Sequence, residues 1–261
     1  MNILVCLKMV SRATYTDMLC ADDASDDRLS GGAIEINPAD AYALETALKL
    51  KDRYGAYVTV LSMSPMLAEP MLRSALAMGA DEAVLVCDRI FAGSDTIATA
   101  KTLSAALKAL PRQDMIFCGS KAIDSETGHI GAQLAALNEL RYMGDVLAVN
   151  ELRDGRPCVK HAGKHGAEEY SLVLPAVFSI INGTGMIRSP TIFGLRSSAK
   201  REIRIMTGDT LHLTAEQAGK NASGTETVRI DRLSFAHRHG AYTDDVHDGA
   251  AGLAEMLECA K

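Results

Sequence analysis

The stretch richest in usable chemistry runs from Cys118 to Leu137, Cys-Gly-Ser-Lys-Ala-Ile-Asp-Ser-Glu-Thr-Gly-His-Ile-Gly-Ala-Gln-Leu-Ala-Ala-Leu. Gly119, Gly128 and Gly131 are interleaved with the hydroxyl residues Ser120, Ser125 and Thr127. From there Ile130, Leu134 and Leu137 fall on one helical face. A small-residue loop ahead of a helix start aims backbone N–H groups at an anion, and glycine there allows close approach or positive φ. The spacing matches neither the Walker pattern nor the dinucleotide fingerprint, so these residues alone fit a phosphate-facing loop or a plain tight turn. His129 within the loop fits a phosphate contact or a capping or surface role equally. His161 and His165 stand four apart, but Gly163 and Gly166 break the helix that would align them, and zinc needs more ligands in fixed geometry. No metal site is expected. Neither a Ser/His/Asp constellation nor a paired-carboxylate site is present, so no catalytic residue is assigned and the chain is read as a non-enzyme.

The elements that must position this loop read as alternating strands and helices. Ile3–Leu7, Tyr57–Ser62, Ala83–Cys87 and Asp114–Cys118 are short apolar runs suited to central parallel strands. Between them, Asn37 suits an N-cap, Pro38 the first helical position and Asp40 the positive helix end, with Ala43, Leu44, Ala47, Leu48 and Leu50 on one face to about Arg53. A helix over about 67–78 ends at Gly79, and Ser94 or Asp95 opens another to about Leu110. The methionines at 66, 71 and 78 fit helix packing. This grammar specifies an α/β fold with a parallel doubly wound sheet, whose ligands bind beyond the carboxyl ends of the strands. That rim collects the end of the first strand, the turn after Ser62, the Asn37–Pro38 helix start and the 119–131 loop.

After Leu140 the pattern changes. Asp154-Gly155 between apolar runs signals a hairpin in a β extension, and Pro175 within Leu172–Phe178 marks an edge or a strand switch. Residues 182–199 read as an exposed loop and Ala199–Met206 as a basic, half-exposed strand. The organisation expected is an α/β domain over 1–206 and an extended C-terminal arm with a terminal helix over 207–261. Residues 11–34 read as a surface excursion, with the acidic run 22–27 solvated.

Of the 261 residues 48% are hydrophobic and 23% charged, the profile of a globular protein, and a net charge of -6 argues against nucleic acid as a partner. No apolar run approaches the roughly 20 residues of a membrane span, and Met1–Lys8 is too short for a signal peptide, so a cytoplasmic location without membrane insertion is expected. Six scattered cysteines without a CxxC fit reduced thiols.

Four segments in order resemble one family, the beta (small) subunit of electron transfer flavoproteins. They are Asn37-Pro-Ala-Asp-Ala-Tyr-Ala-Leu-Glu-Thr-Ala-Leu-Lys-Leu-Lys51, Leu72-Arg-Ser-Ala-Leu-Ala-Met-Gly-Ala-Asp81, the Gly119–Gly131 loop, and Leu174-Pro-Ala-Val177. The resemblance implies an adenine-nucleotide alpha-hydrolase-like fold and a heterodimer with an alpha subunit that carries the redox-active FAD. It implies AMP, or a second FAD, in this chain. It places nucleotide contacts at Cys6, at Asn37, Pro38, Ala39 and Asp40, at Met63, and along Gly119, Ser120, Lys121, Ala122, Ile123, Asp124, Ser125, Glu126, Thr127, Gly128, His129, Ile130 and Gly131. Cys6 and Met63 would flank the base, Asn37 would touch the adenosine, and Asp124 or Thr127 would bond ribose or order the loop. Partner recognition would fall on Arg188, Thr191, Ile192, Phe193 and Leu195, facing a flavin dehydrogenase of the acyl-CoA dehydrogenase kind, and Tyr15 would approach the alpha-subunit flavin. The implied function is electron carriage. A stand-alone nucleotide-binding protein of universal-stress type is the alternative, and such domains lack the residues after 145.

The chain also departs from the family pattern. Val10-Ser-Arg12 replaces Val-Pro-Asp, His129 stands for a Gln, His161 and Lys164 stand for an Arg and an acidic residue, and Ile192 stands for the docking leucine. The basic run that follows is reduced to Lys200-Arg201, which marks a divergent member.

Overall fold

A computed structural model describes residues 1–11, 34–183, 185–226, 228 and 245–259; Arg12, Tyr15, Cys20, the acidic run 22–27 and Thr184 lie outside them. Strand β1 (Asn2–Cys6) is followed by β2 (Met9–Ser11), which pairs antiparallel with β3 (Ile34–Ile36) in a separate two-stranded ribbon. Helix α1 (Pro38–Tyr54) starts on its proline and ends at Gly55, whose φ of 66° lets its N–H reach the Lys51 carbonyl. Then come β4 (Tyr57–Met63), α2 (Glu69–Met78), β5 (Glu82–Val86), α3 (Thr96–Lys108), β6 (Met115–Gly119) and α4 (Ile130–Leu137). Asp95, not Ser94, caps α3, its carboxylate accepting the Ala98 N–H at 2.9 Å.

The extension comprises β7 (Arg141–Arg153), β8 (Arg156–Gly163) and β9 (Gly166–Ser171). Asp154 and Gly155 between β7 and β8 have φ of 50° and 73°, the left-handed pair a two-residue hairpin needs. At Leu174–Pro175 the chain leaves this edge and enters β10 (Ala176–Ile180), so the proline marks a strand switch. The sheet order is β11-β5-β4-β1-β6-β10-β7-β8-β9, with β11 (Arg204–Met206) at one edge; it is parallel from β11 to β7 and antiparallel beyond.

Alternation along the strands divides the core. Ile3 and Val5 join Leu44, Leu48, Leu72 and Leu76 under α1 and α2, whereas Leu4 and Cys6 join Leu103, Ala106, Leu134 and Ala135 under α3 and α4. Helices therefore cover both faces, as a doubly wound α/β sheet requires. Met71 and Met78 pack on the first core, while Met66 is 47% exposed.

The stretch 182–199 is not loop throughout: α5 (Ile192–Ser198) forms where the Thr191 hydroxyl accepts the Gly194 N–H at 2.9 Å. Gly194 packs so closely on the Ala77 carbonyl of α2 that a Cβ would overlap it. The basic strand expected over 199–206 is only the three residues of β11. Residues 207–222, read from composition as arm, lie against the second face, where Leu211 and Ala218 are buried. One compact unit spans Met1–Val228; a second, Arg229–Lys261, contains α6 (Val246–Cys259), which exposes Val246, Leu253, Met256 and Leu257.

Candidate functional site

The 119–131 loop leaves β6 at the carboxyl rim of the sheet and is held there by α1. Gly119 lies directly on the α1 start: a Cβ would stand 2.5 Å from Asp40 Oδ1 and 2.6 Å from Ala39 Cβ. Its N–H donates to Asp40 Oδ1 at 2.7 Å, and the Lys8 N–H donates to Asp40 Oδ2 at 2.7 Å. Asp40 therefore ties the end of β1 to the end of β6, a role unlike the helix-dipole one its position suggested. Burial pushes its carboxyl up to about 6, against the lowering pull of those two N–H groups.

Asn37 occupies the N-cap position but makes no capping bond with its side chain. Its amide spans the loop instead: Nδ2 donates to the Lys121 carbonyl at 3.0 Å, and Oδ1 accepts the Ile123 N–H at 3.1 Å. The residue is 1% exposed. The loop then turns, the Ala122 carbonyl accepting the Glu126 N–H at 2.8 Å, while Glu126 and Gly128 adopt φ of 51° and 66°. Lys8 Nζ meets Asp124 Oδ1 at 2.6 Å and lies 3.5 Å from Ser125 Oγ; Lys121 pairs with Glu126 at 2.9 Å. Lys8 was not among the residues expected at the site, and a lysine two residues past a strand carries little signal in sequence.

Beyond Glu126 the backbone is unspent. The N–H groups of Thr127, Gly128, His129, Ile130, Gly131 and Ala132 have no acceptor among the described residues; the next N–H, of Gln133, donates to the His129 carbonyl at 3.0 Å. Consecutive free donors over a positive-φ turn and the first turn of a helix are the backbone arrangement that suits a phosphate. Gly131 lets that first turn seat on β6 and β10, since a Cβ would stand 2.5 Å from Ser179 Oγ and 2.8 Å from Cys118 Sγ. Tyr142 donates to the same Ser179 hydroxyl at 3.1 Å.

Cys6 ends β1 on the second face with Cys118, and both are buried. Burial raises both thiols, Cys118 to about 12, so neither is a thiolate at neutral pH. Met63 ends β4 and packs beside the same cluster. Asn37, Pro38, Ala39, Asp40 and the loop are thus in direct contact or continuous chain, with Cys6 and Met63 on the neighbouring strand ends. Among the described residues no cluster of three or more metal-ligating side chains occurs, and His161 sits instead beside Tyr170 and Glu168.

The residues expected to meet a partner lie elsewhere, around α5. Ile192, Phe193 and Leu195 are 84%, 86% and 51% exposed. Arg188 points the other way: its Nε and Nη2 donate to the buried Glu45 at 2.9 and 3.1 Å, and Nη2 also reaches Asp52 at 2.7 Å. These hydrogen bonds hold the guanidinium well above its ordinary pKa. The Leu72–Asp81 motif buttresses the same region. Arg73 Nη1 donates to the Ser198 and Arg201 carbonyls at 2.9 and 3.1 Å, and Asp81 accepts from Lys51 and from the Val58 N–H.

Residues 30–192 match the family model described as the electron transfer flavoprotein domain. The chain is 35% identical to the electron transfer flavoprotein subunit beta of Thermoanaerobacterium thermosaccharolyticum, over 98% of each chain. It is 35% identical to the protein of the same name from Clostridium acetobutylicum, over 99% of this chain and 98% of that one. A third relative, the caffeyl-CoA reductase-Etf complex subunit CarD of Acetobacterium woodii, is 35% identical over 88% of this chain and 87% of its own. With nearly its whole length matched and the four motifs in register on this fold, the chain belongs to the electron transfer flavoprotein family, among its beta subunits.

Proposed function

We propose that this chain is the small subunit of a heterodimer, that it holds an adenine nucleotide on the 119–131 loop, and that it helps an alpha subunit's FAD relay electrons from a flavin dehydrogenase. The observation that carries the nucleotide reading is the run of six N–H groups from Thr127 to Ala132, on the carboxyl rim of the sheet, that have no acceptor among the described residues. AMP and a second FAD both offer an adenosine and at least one phosphate, and the cradle suits either. When bound, a flavin supplies the redox chemistry; the protein's part is binding, orientation and electrostatics. Thr127–Ala132 would grip phosphate through the main chain, while Cys6 and Met63 would line the base. Asn37 and Asp40 would act through the loop, since their polar atoms are already engaged with it.

Exposed Ile192, Phe193 and Leu195 support a partner surface on α5, because clustered apolar exposure is unusual on a free surface. The name of the Acetobacterium woodii relative, which couples an Etf complex to a CoA-ester reductase, favours a flavin enzyme of the acyl-CoA dehydrogenase kind as electron donor or acceptor. The apolar stripe of α6 in the second unit supports its role as the segment that meets the alpha subunit.

Co-expression with the large-subunit candidate, purification of the complex, and counting of nucleotides released on denaturation test the proposal. One FAD and one AMP per heterodimer supports a simple carrier, and two FAD without AMP supports a second flavin on this loop and a bifurcating role. A chain that purifies alone and free of nucleotide contradicts the proposal.

A further inference from the structure

Lys8 stands where the three segments of the rim meet. Its N–H donates to Asp40 Oδ2 at 2.7 Å, its carbonyl accepts the Asn37 N–H at 2.9 Å, and its ammonium lies 2.6 Å from Asp124 Oδ1 and 3.5 Å from Ser125 Oγ. The Asp124 side chain is 16% exposed, against 39% for that of Lys8, so the carboxylate sits on the protein side of the pair. A second ion pair among the described residues, Lys121 with Glu126, closes within the turn itself. Past Ser120 the loop is thus held by the Asn37 amide on the main chain at 121 and 123 and by the Lys8 ammonium on the side chains at 124 and 125.

We infer that Lys8 is a positioning residue for the nucleotide loop, acting through Asp124, and that it is not a phosphate ligand. The inference rests on the nucleotide-binding reading of the 119–131 loop. The donors from Thr127 to Ala132 converge on one anion only while the turn before them is held, and Glu126 within that turn has a φ of 51° that a free chain seldom adopts. Without the latch the binding-competent loop is populated only part of the time, and affinity falls by that fraction. The Lys8 charge is already matched by Asp124, so losing both charges together leaves the loop no worse held than losing either one.

The test is titration of AMP, and separately of FAD, into the full chain freed of bound nucleotide. It compares wild type with Lys8→Met, Lys8→Arg, Asp124→Asn and the Lys8→Met/Asp124→Asn double variant. Lys8→Met and Asp124→Asn should each weaken binding by about two- to fivefold, the upper part of the range for a partly exposed ion pair. The double variant should be no weaker than the weaker single one, and Lys8→Arg should stay within about twofold of wild type. Asp124→Asn carries the test alone if Lys8→Met fails to fold. Tighter binding by Asp124→Asn would mean that freed Lys8 reaches the phosphate, and multiplying losses in the double variant would mean that Asp124 touches the ligand; either result overturns the inference. Wild type binding normally with both single variants unchanged defeats the latch alone, whereas wild type taking up neither nucleotide defeats the nucleotide reading and the latch with it.

Discussion

Asp40→Asn isolates the buried charge that joins β1, α1 and β6. The carboxyl is 5% exposed and its pKa stands at about 6, against 3.8 when free. A folded pKa above the unfolded one means that folding takes up a proton. The stabilising contribution is fully present below the unfolded value and is lost as pH rises through the folded one. At neutral pH the ionised group therefore costs about 3 kcal/mol relative to its protonated form. Between about pH 7 and pH 5 the wild-type protein should gain about 1 kcal/mol from this group alone. Asparagine has no charge to desolvate, but it turns one acceptor oxygen into a donor that faces the Lys8 or Gly119 N–H, at about 1–3 kcal/mol for an unmet buried donor. Those two effects nearly cancel at neutral pH, while the pH-dependent gain disappears. Urea unfolding of both proteins across this range reads the difference. A variant as pH-sensitive as wild type, or a wild type that loses stability relative to the variant on acidification, refutes the argument.

Gly131→Ala should destabilise the chain by about 1–3 kcal/mol and abolish nucleotide binding, because its Cβ displaces the first turn of α4 from Ser179 and Cys118; thermal melts and AMP titration read the two effects. Arg188→Ala strands the buried Glu45 carboxylate and should cost about 2 kcal/mol in urea unfolding, a value reduced from that of a fully buried pair because the arginine is 30% exposed. Arg188→Lys should recover only part, since one ammonium cannot reproduce the forked contact with Glu45 and Asp52. Ile192→Ser and Phe193→Ser should each change stability by less than about 0.5 kcal/mol, as exposed positions do. In assays with the proposed dehydrogenase partner they should raise KM; a large drop in melting temperature instead would mean that these side chains are packed rather than exposed.

The parallel sheet was legible because its strands are short apolar runs spaced by helices, and the hairpin because Asp154-Gly155 is a two-residue turn with its own backbone chemistry. What could not be read depends on contacts distant in sequence. The Asn37 side chain looked like a cap, yet the Lys121 carbonyl and Ile123 N–H, some 85 positions on, claim it. Arg188 looked like a surface contact because Glu45 lies 143 residues earlier. Helix α5 has too few residues for a periodic signal and is fixed by Thr191 and by Gly194 against Ala77. The Leu72–Asp81 motif was visible as a pattern, but its structural work, holding the carbonyls at Ser198 and Arg201, needs the folded chain.

The central claim is that the amides from Thr127 to Ala132 receive a nucleotide phosphate. Amide hydrogen exchange of the full chain with AMP, with adenosine and with neither tests it most directly. Protection by AMP should concentrate in the peptide that covers 124–134, with little there for adenosine, which lacks the phosphate. Equal protection by both ligands, or protection confined to other segments, contradicts it.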